Sequence, residues 1–584
     1  MGYPQRMPNT AENCPIINER VDDLPLLLAQ LKEMRVPELL NEAFPTHGNW
    51  RGLSLGQVVT VWLTFILSES NHRLSHLQPW AASRLQTLRV ALGVEVVETD
   101  FTDDRLAQAL DYLSANERWQ HFEDQLNRHL LRIYDLTGET VRLDSTTAQS
   151  YGEVSAEGLL RFGHSKDHRP DLPQIKISVS TLDPLGLPLT ATIVSGDNAD
   201  DPLYVPEIER VRATLQRRGL LYVGDSKMAA LATRVHLAAG GDYYLCPLPA
   251  TQVPAAHLAE VVAPVVSGAI KAQAIKRRND ETGRWEKIAQ GYEYPVTLEA
   301  EHDGQRVQYV ERRLVVCSVA WAKAQKKGLA QRVKKATAEI TRLNAKKQGK
   351  VRPKTMEAWQ ATVAQKLHKY RVVGLLDVTY REDQQVRPVR AYKERPATVR
   401  VAQTWHLAVT LNRTALAQAQ AVLGWRVYAT NAPQAQVSLT QAVLAYRGSP
   451  VIERGFRRLK GPLSLTPLYL TTTARLTGLV RVLLIGLRVL GLIEYKARRA
   501  LAVRDEQLAG LTKGLPKKAT ARPTTETLLR AFEGLTLSHL GGQWYLTPLT
   551  ALQTRILHLL DFSSEIYHRL IPRFLETQMQ MSET

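Results

Sequence analysis

The order of apolar patterns between residues 141 and 245 constrains the fold of this chain more than any other feature of its sequence. Apolar and polar residues alternate just before Asp144, and two further alternating runs flank a turn at 183–186, which predicts a strand followed by a β-hairpin. Helical and strand patterns then follow in turn, over 204–215, 220–223, 228–239 and 243–245. The predicted order is β, β-hairpin, α, β, α, β, which is typical of a mixed α/β core.

The 584-residue chain is long enough for several domains, and changes of pattern mark where they meet. We predict a helical N-terminal domain (1–135) and a mixed α/β core in two parts (136–246 and 426–500). A β-rich insertion (247–425) lies between those parts, and a C-terminal region (501–584) is a candidate for dimerisation. Within the insertion, residues 320–371 repeat apolar side chains at helical spacing on both sides of Gly349 and Pro353. This pattern predicts an antiparallel helical hairpin.

Positive charge is unevenly distributed along the chain. The sequence holds 75 Lys and Arg against 57 Asp and Glu, a net charge of +18, which predicts a polyanionic partner, nucleic acid before anionic membrane. Residues 323–354 of the predicted helical hairpin hold twelve Lys and Arg and a single acid, Glu339, and so carry +11 of that charge. A solvated surface is the alternative, but such surfaces normally mix the two signs, so we favour contact with a DNA backbone through residues such as Lys326, Lys327, Lys334 and Lys335.

Cysteine usage and hydropathy indicate the cellular compartment of the protein. Three scattered cysteines are too few for a disulfide framework, which favours a reducing compartment. Charged residues near the N-terminus interrupt the apolar run that an export signal needs. The most apolar stretch, 476–493, contains Arg481 and Arg488 on one helical face, which favours a buried helix over a membrane span. We therefore expect a cytoplasmic protein without a membrane partner.

Two aspartates end predicted strands of the core. Asp144 follows the first strand and Asp225 follows the fourth. An aspartate in such a position is most often a turn or cap residue, but in a ribonuclease-H-like fold the first and fourth strands are neighbours. The two carboxylates would then converge on one crevice, where oxygen ligands can share a divalent cation.

A third carboxylate lies on a later predicted helix. Glu453 and Lys460 are seven residues apart, so they share a helix face to within about 20° and lie about 10 Å apart along the axis. With Arg454, Arg457 and Arg458 nearby, this face suits a metal ligand flanked by phosphate contacts. A solvated basic helix with one acid is the alternative.

Several segments in this order resemble the DDE transposases of bacterial insertion sequences, in the insertion-sequence-four superfamily and its sixteen-thirty-four branch. The matching segments are 143–147, 161–174, 196–198, 224–228, Thr430-Asn431 and the helix that carries Glu453, and 102–106 resembles the N-terminal domain of that branch. The resemblance implies a ribonuclease-H-like catalytic core, a mixed sheet with flanking helices, in which Asp144, Asp225 and Glu453 hold two Mg²⁺ ions, with Mn²⁺ as a substitute.

The implied reaction is metal-dependent cleavage at the ends of a mobile element, followed by transfer of the freed end into target DNA. The implied partners are double-stranded DNA with terminal inverted repeats, target DNA and a second copy of the chain, in the bacterial cytoplasm at the nucleoid. The N-terminal domain is then expected to bind DNA ends. No phosphate-binding glycine loop or dinucleotide fingerprint occurs, so no nucleotide cofactor is expected.

The superfamily's Tyr-Arg-Glu-Lys signature is only partly kept. Tyr446, Glu453 and Lys460 occupy their positions, but Ser449 stands where arginine is expected, with Arg447 as a candidate replacement. Local rules predict that Ser449 caps a helix beginning at Pro450, which leaves Tyr446 outside that helix.

The loop at 163–173 is the remaining candidate for binding. His164 and His168 have the spacing of zinc ligands on a helix, but Gly163, Pro170 and Pro173 disfavour a helix there. We expect contacts with DNA or with the active site from the basic side chains of this loop, namely His164, Lys166, His168 and Arg169.

Two other functions remain open on sequence alone. One is a nuclease of the same fold that hydrolyses DNA without strand transfer. The other is a DNA-binding protein whose active site is no longer used. The missing arginine of the signature is compatible with this alternative, but the three carboxylates argue against it.

Overall fold

The computed structural model describes residues 17–279, 283–345, 353, 355–391, 396–540 and 542–572. The chain forms two compact units. We call residues 1–243 and 447–584 the discontinuous unit, and residues 244–446 the insertion unit. The charged residues Lys346, Lys347, Lys350, Arg352 and Lys354 of the predicted basic hairpin lie outside the described residues.

The discontinuous unit begins with a short strand and a group of helices. They are β1 (Ile17–Arg20), α1 (Leu24–Glu33), α2 (Val36–Ala43), α3 (Leu55–Glu69), α4 (Leu74–Ala82), α5 (Leu85–Leu92), α6 (Asp103–Leu113) and α7 (Asn116–Ile133). A capping box between Ser54 and Gln57 starts α3, whose side chains are almost all buried. The helical pattern predicted for this segment is confirmed.

The sheet of the discontinuous unit holds the two aspartates. Its strands are β2 (Thr140–Gln149), β3 (Gln174–Leu182), β4 (Leu187–Ser195) and β5 (Leu221–Val223), in the order β4-β3-β2-β5. Strand β3 is antiparallel to β2 and β4, whereas β2 and β5 are parallel, with the helix α8 (Tyr204–Leu215) before β5 and α9 (Leu231–Ala239) after it. The predicted neighbourhood of the first and fourth core strands is confirmed.

The position of Asp144 within its strand differs from the prediction. The apolar alternation breaks at Asp144, but β2 continues to Gln149 because β3 pairs with it along its whole length. Only the parallel pairing with β5 stops early, at Arg142. Asp144 is therefore in the middle of β2 and just past the last β5 pairing.

The insertion unit is a sheet with a helical hairpin on a separate β-ribbon. Its elements are β6 (Tyr243–Pro247), α10 (Ala255–Val266), β7 (Gln273–Arg278), β8 (Trp285–His302), β9 (Gln305–Ser318), α11 (Val319–Thr341), α12 (Met356–Lys369), β10 (Leu376–Val389), β11 (Thr398–Leu411), α13 (Arg413–Ala421), β12 (Trp425–Thr430) and α14 (Leu439–Tyr446). Strands β6, β12, β9, β8 and β7 are neighbours in that order, and β10 pairs with β11. The predicted hairpin is α11 and α12, whose Ile340 and Trp359 belong to one core with Leu407 of β11.

The chain returns to the discontinuous unit after α14. The elements there are α15 (Pro450–Lys460), α16 (Thr473–Arg504), β13 (Leu508–Ala509), β14 (Ala519–Thr520), α17 (Thr525–Arg530), β15 (Thr536–Leu540), β16 (Gln543–Leu546), α18 (Ala551–Leu559) and α19 (Glu565–His568). Strand β1 pairs with β15, so the two ends of the described chain share a small sheet.

Helix α16 forms the centre of the discontinuous unit. Among the described residues it is the one helix long and apolar enough to cross a membrane, and its most apolar 18-residue stretch lies wholly inside the protein. Arg481 donates to the Leu113 carbonyl over 2.7 Å and Arg488 to Glu123 over 2.8 Å. The prediction of a buried helix is confirmed, since both arginines have partners within the unit.

Candidate active site

Strands β2 and β5 place Asp144 and Asp225 side by side. Arg142 pairs with Val223 in parallel register, so Asp144 and Asp225 each lie two residues beyond the last pair. Neighbouring strands are about 4.8 Å apart, which puts the two aspartates level across the end of the β2–β5 pairing. Burial raises the pKa of Asp144, and the charge of Asp225 acts in the same direction against the lowering effect of Lys166.

Tyr204 and a backbone amide both donate hydrogen bonds to one oxygen of Asp225. The Tyr204 hydroxyl donates to Oδ1 of Asp225 over 2.8 Å, and the Lys227 backbone N–H donates to the same oxygen over 2.8 Å. Burial, followed by the charge of Asp225, raises the pKa of Tyr204 well above its ordinary value. The hydroxyl therefore stays a proton donor at neutral pH, and the carboxylate keeps its second oxygen for another ligand.

Lys166 compensates the charge of Asp144. Its Nζ lies 3.4 Å from Oδ1 of Asp144 and donates to the carbonyl and hydroxyl oxygens of Ser145 over 2.5 and 2.8 Å. Lys166, for which contacts with DNA or with the active site were expected, is therefore in direct contact with Asp144. An ammonium beside the carboxylate pair also marks a place where positive charge is favourable.

A further carboxylate, Asp200, adjoins this cluster. It accepts from the Ser145 hydroxyl over 2.8 Å and lies 3.0 Å from Nζ of Lys176. Burial opposes ionisation, but the hydrogen bonds from Lys176 and Ser145 together hold the pKa of Asp200 below its ordinary value. Sequence reasoning missed both Asp200 and Tyr204, although the run of acids at 197–201 was a signal for the first.

Glu453 lies on α15, which packs against the strand that carries Asp144. Its side chain is exposed. Within the described part of the chain, no group of three or more His, Cys, Asp or Glu side chains is placed to hold a metal ion. The structure thus brings Asp144 and Asp225 together and leaves Glu453 outside their cluster.

The basic residues of α15 divide into two groups. Arg457 is exposed, and Nζ of Lys460 pairs with Asp167 over 2.5 Å, which ties α15 to the loop at 163–173. Arg454 and Arg458, which the sequence suggested as neighbouring phosphate contacts, instead pair with buried Glu494, and Arg458 also pairs with Glu526. They are structural because the carboxylates of other helices neutralise them.

The start of α15 confirms one expectation and corrects another. The helix begins at Pro450 as predicted, but Ser449 has helical backbone angles and its side chain makes no capping hydrogen bond. Tyr446 ends the preceding helix α14, with its ring 4.8 Å from that of Tyr428, and the half-buried Arg447 follows it.

The loop at 163–173 has no helix, as expected. His164 and His168 are exposed, and His168 has a left-handed backbone with φ of 57°. Arg169 pairs with Asp171 over 2.7 Å. The histidines therefore do not share the helical face that a zinc site would need.

Exposed lysines cover the described part of the basic hairpin. Lys326, Lys327, Lys334 and Lys335 are all exposed on α11. The single acid of the segment, Glu339, pairs with Lys366 of α12 over 3.0 Å. These four charges are thus available to an outside partner.

Comparison with known proteins places the chain in a family. Residues 137–487 match the family model described as a transposase DDE domain, and residues 16–127 match one described as a domain of unknown function, DUF4277. The first match covers more than half of the chain and both aspartates. The chain belongs to the DDE transposase family and is a DNA transposase, an enzyme of a family that uses divalent metal ions.

Several chains of solved structures match the backbone trace of this chain, and one of them belongs to a transposase complex. It is described as the cryo-EM structure of the piggyBac transposase synaptic complex with hairpin DNA, with a TM-score of 0.34, 8% identity, and coverage of 96% of this chain and 89% of that one. No curated protein matches the sequence.

Proposed function

We propose that Asp144, Asp225 and Glu453 are the catalytic carboxylates of this transposase and hold two Mg²⁺ ions, which Mn²⁺ can replace. The observation that carries the proposal is the parallel register that sets Asp144 and Asp225 level on neighbouring strands. The donor set fits the metal, because Mg²⁺ prefers hard carboxylate oxygens. We assign the core to the ribonuclease-H-like fold and the chain to the sixteen-thirty-four branch of the insertion-sequence-four superfamily.

When bound, the metal ions would activate the attacking water or 3′-hydroxyl and stabilise the leaving oxygen. The side chains of the chain prepare the site for them. Tyr204 orients the Asp225 carboxylate, and Lys166 lowers the cost of a charged Asp144 in a buried place. Glu453 has no ion pair among the described residues that it would have to break in order to turn toward the two aspartates.

Side chains of α15, of the segment before it and of the loop at 163–173 would hold the DNA strand. We assign phosphate contacts to Lys460 and Arg457 of α15, to Tyr446 and Arg447, and to His164, Lys166, His168 and Arg169 of the loop. Lys460 and Lys166 pair with Asp167 and Asp144, so a phosphate would compete with these carboxylates for the two ammonium groups.

The proposed reaction is cut and paste. A homodimer on DNA binds the terminal inverted repeats, cleaves at the ends of the element and joins the freed 3′ ends to target DNA, in the bacterial cytoplasm at the nucleoid. Strand transfer from pre-cut ends separates this reaction from that of a nuclease, which would release hydrolysis products alone.

A change of metal specificity tests the metal site. Asp225→Cys replaces a hard ligand with a soft one, so cleavage in Mg²⁺ should fall by at least about 100-fold and recover by about tenfold or more in Mn²⁺. The measurement is the cleavage rate of an element end in each metal. Asp201→Cys, at an exposed aspartate near α8, is the matched control and should cleave normally in both. Equal losses of Asp225→Cys in the two metals would argue against a ligand role.

Charge reversal tests the basic hairpin. Changing Lys326, Lys327, Lys334 and Lys335 to Glu should weaken DNA binding whatever the sequence of the DNA, and should flatten the dependence of log K on log salt by up to about 3.6, since each phosphate contact contributes about 0.9. The measurement is a salt titration of DNA affinity. The same reversal at exposed Arg504, Lys513, Lys517 and Lys518 is the control. If the two quadruple variants have the same slope, the hairpin does not contact the backbone.

A further inference from the structure

Two tyrosines of the discontinuous unit form an exposed aromatic pair. Tyr151 and Tyr469 are each 59% exposed, and their ring centroids lie 6.4 Å apart at an angle of 26°. Aromatic side chains usually bury their faces in a core or an interface, so two neighbouring exposed rings are suited to a planar partner.

The backbone fixes both rings at the end of the strand that carries Asp144. Strand β2 ends at Gln149, whose carbonyl accepts from the Leu468 N–H over 3.0 Å. The Ser150 hydroxyl in turn donates to the Leu468 carbonyl over 2.8 Å, and both of these residues are fully buried. The tyrosines follow directly after this rigid junction, so their positions relative to Asp144 are set by β2.

Basic side chains of one loop link the aromatic pair to the proposed active site. At one end of the loop, Lys166 contacts Asp144. Further along the loop, Arg169 pairs with Asp171 and lies within electrostatic reach of Tyr151. A DNA strand that follows this loop would meet Lys166 beside Asp144 and Arg169 near Tyr151.

Tyr469 also borders a cavity. The cavity has a volume of about 540 Å³, and its lining includes Arg73, His72, Trp62 and Arg475 as well as Tyr469. This volume lies in the range of small-ligand sites. The cavity thus places cationic groups, together with the acids Asp103 and Asp104, beside Tyr469.

We propose that Tyr151 and Tyr469 are a stacking site for an unpaired nucleobase of the DNA that the enzyme processes. Aromatic side chains next to cationic groups are the means by which proteins hold single-stranded DNA without reading its sequence. Tyr151 is seven residues beyond Asp144 and two beyond the end of β2, so the two residues are at most about 23 Å apart at 3.3 Å per residue. At 3.4 Å per nucleotide the base would be at most about seven nucleotides from the cleaved bond. The proposal rests on the proposed catalytic role of Asp144 for this placement.

Fluorescence of a base analogue tests the stacking site. The probe is a short oligodeoxythymidylate with one fluorescent aminopurine base, bound to the full chain carrying Asp144→Asn so that nothing is cleaved. We expect quenching by this protein, loss of quenching in Tyr151→Ala/Tyr469→Ala, and binding of the oligonucleotide weakened roughly 5- to 100-fold. Tyr151→Phe/Tyr469→Phe should quench normally, because phenylalanine keeps the ring face.

The exposed Tyr545 provides a matched control, and Tyr545→Ala should leave both quenching and affinity unchanged. Unchanged quenching in the double alanine variant would overturn the proposal. So would a change of its oligomeric state alone, which would make the pair a contact with another protein chain. Cleavage by the enzyme with Asp144 intact or replaced is measured separately, so failure of the stacking site and failure of the proposed catalytic site give different results.

Discussion

Asp144→Asn is expected to reduce DNA cleavage by at least about 1,000-fold, because it removes a charged ligand from the proposed metal site. The substitution keeps the size of the side chain, and Asp144 is half-buried between β3 and β5. Folding and DNA affinity should therefore stay close to those of the native chain, within about twofold for affinity, since phosphate contacts dominate binding. The measurement compares single-turnover cleavage with affinity for the same DNA.

The control for this substitution is Asp201→Asn. Asp201 is exposed and pairs only loosely with Lys227, over 3.9 Å. It should cleave at nearly the native rate, which separates loss of a ligand from general loss of negative charge near the site. Cleavage by Asp144→Asn within about tenfold of the native rate would remove Asp144 from the metal site.

Arg488→Met is expected to destabilise the discontinuous unit by about 3–5 kcal/mol, the usual cost of breaking a buried ion pair. Arg488 is fully buried in α16 and connects three elements. It donates to Glu123 of α7 over 2.8 Å and to the carbonyls of Pro188 and Leu189 in β4 over 3.0 and 2.9 Å. Methionine fills much of the space but removes the side-chain donor of the Pro188 carbonyl, and Glu123 and the Leu189 carbonyl keep only Arg210 and Asn127.

Urea unfolding followed by tryptophan fluorescence measures this loss. Arg504→Met lies on the same helix, at an exposed position, and should change the midpoint little. Because Glu123 shares the network, Glu123→Gln/Arg488→Met should lose less than the sum of the two single variants. Equal midpoints for Arg488→Met and Arg504→Met would contradict a structural role for the buried pair.

The elements of the mixed α/β core can be predicted from the sequence because their hydrophobic patterns are local. Strands β2 to β5 and helices α8 and α9 each carry a clear period, and the parallel β2–β5 pairing needs the crossover that α8 supplies. The β1–β15 pairing joins segments more than 500 residues apart and leaves no local signal, so sequence reasoning missed it. The position of Asp144 was misjudged for the same reason, since its distant partner β3 extends β2 to Gln149.

Prediction of the candidate site succeeds for residues whose position follows from a strand and fails for those placed by tertiary contacts. Asp144 and Asp225 follow apolar runs and are side by side in the structure. Nothing local distinguishes Tyr204 from a tyrosine at any helix start, although it holds Asp225. The arginines of α15 look alike in sequence, but Arg458 is buried and pairs with Glu494, whereas Arg457 is exposed.

Glu453 is the member of the proposed triad that lies outside the cluster of Asp144 and Asp225, so its substitution is the most direct test of the proposed three-carboxylate metal site. The measurement is single-turnover cleavage of an element end by Glu453→Gln in Mg²⁺, beside the affinity for that DNA. The account predicts a rate reduced by at least about 1,000-fold with affinity unchanged. A rate near that of the native chain would contradict the triad and would point to another carboxylate, for which Asp200, hydrogen-bonded to Ser145 beside Asp144, is a candidate.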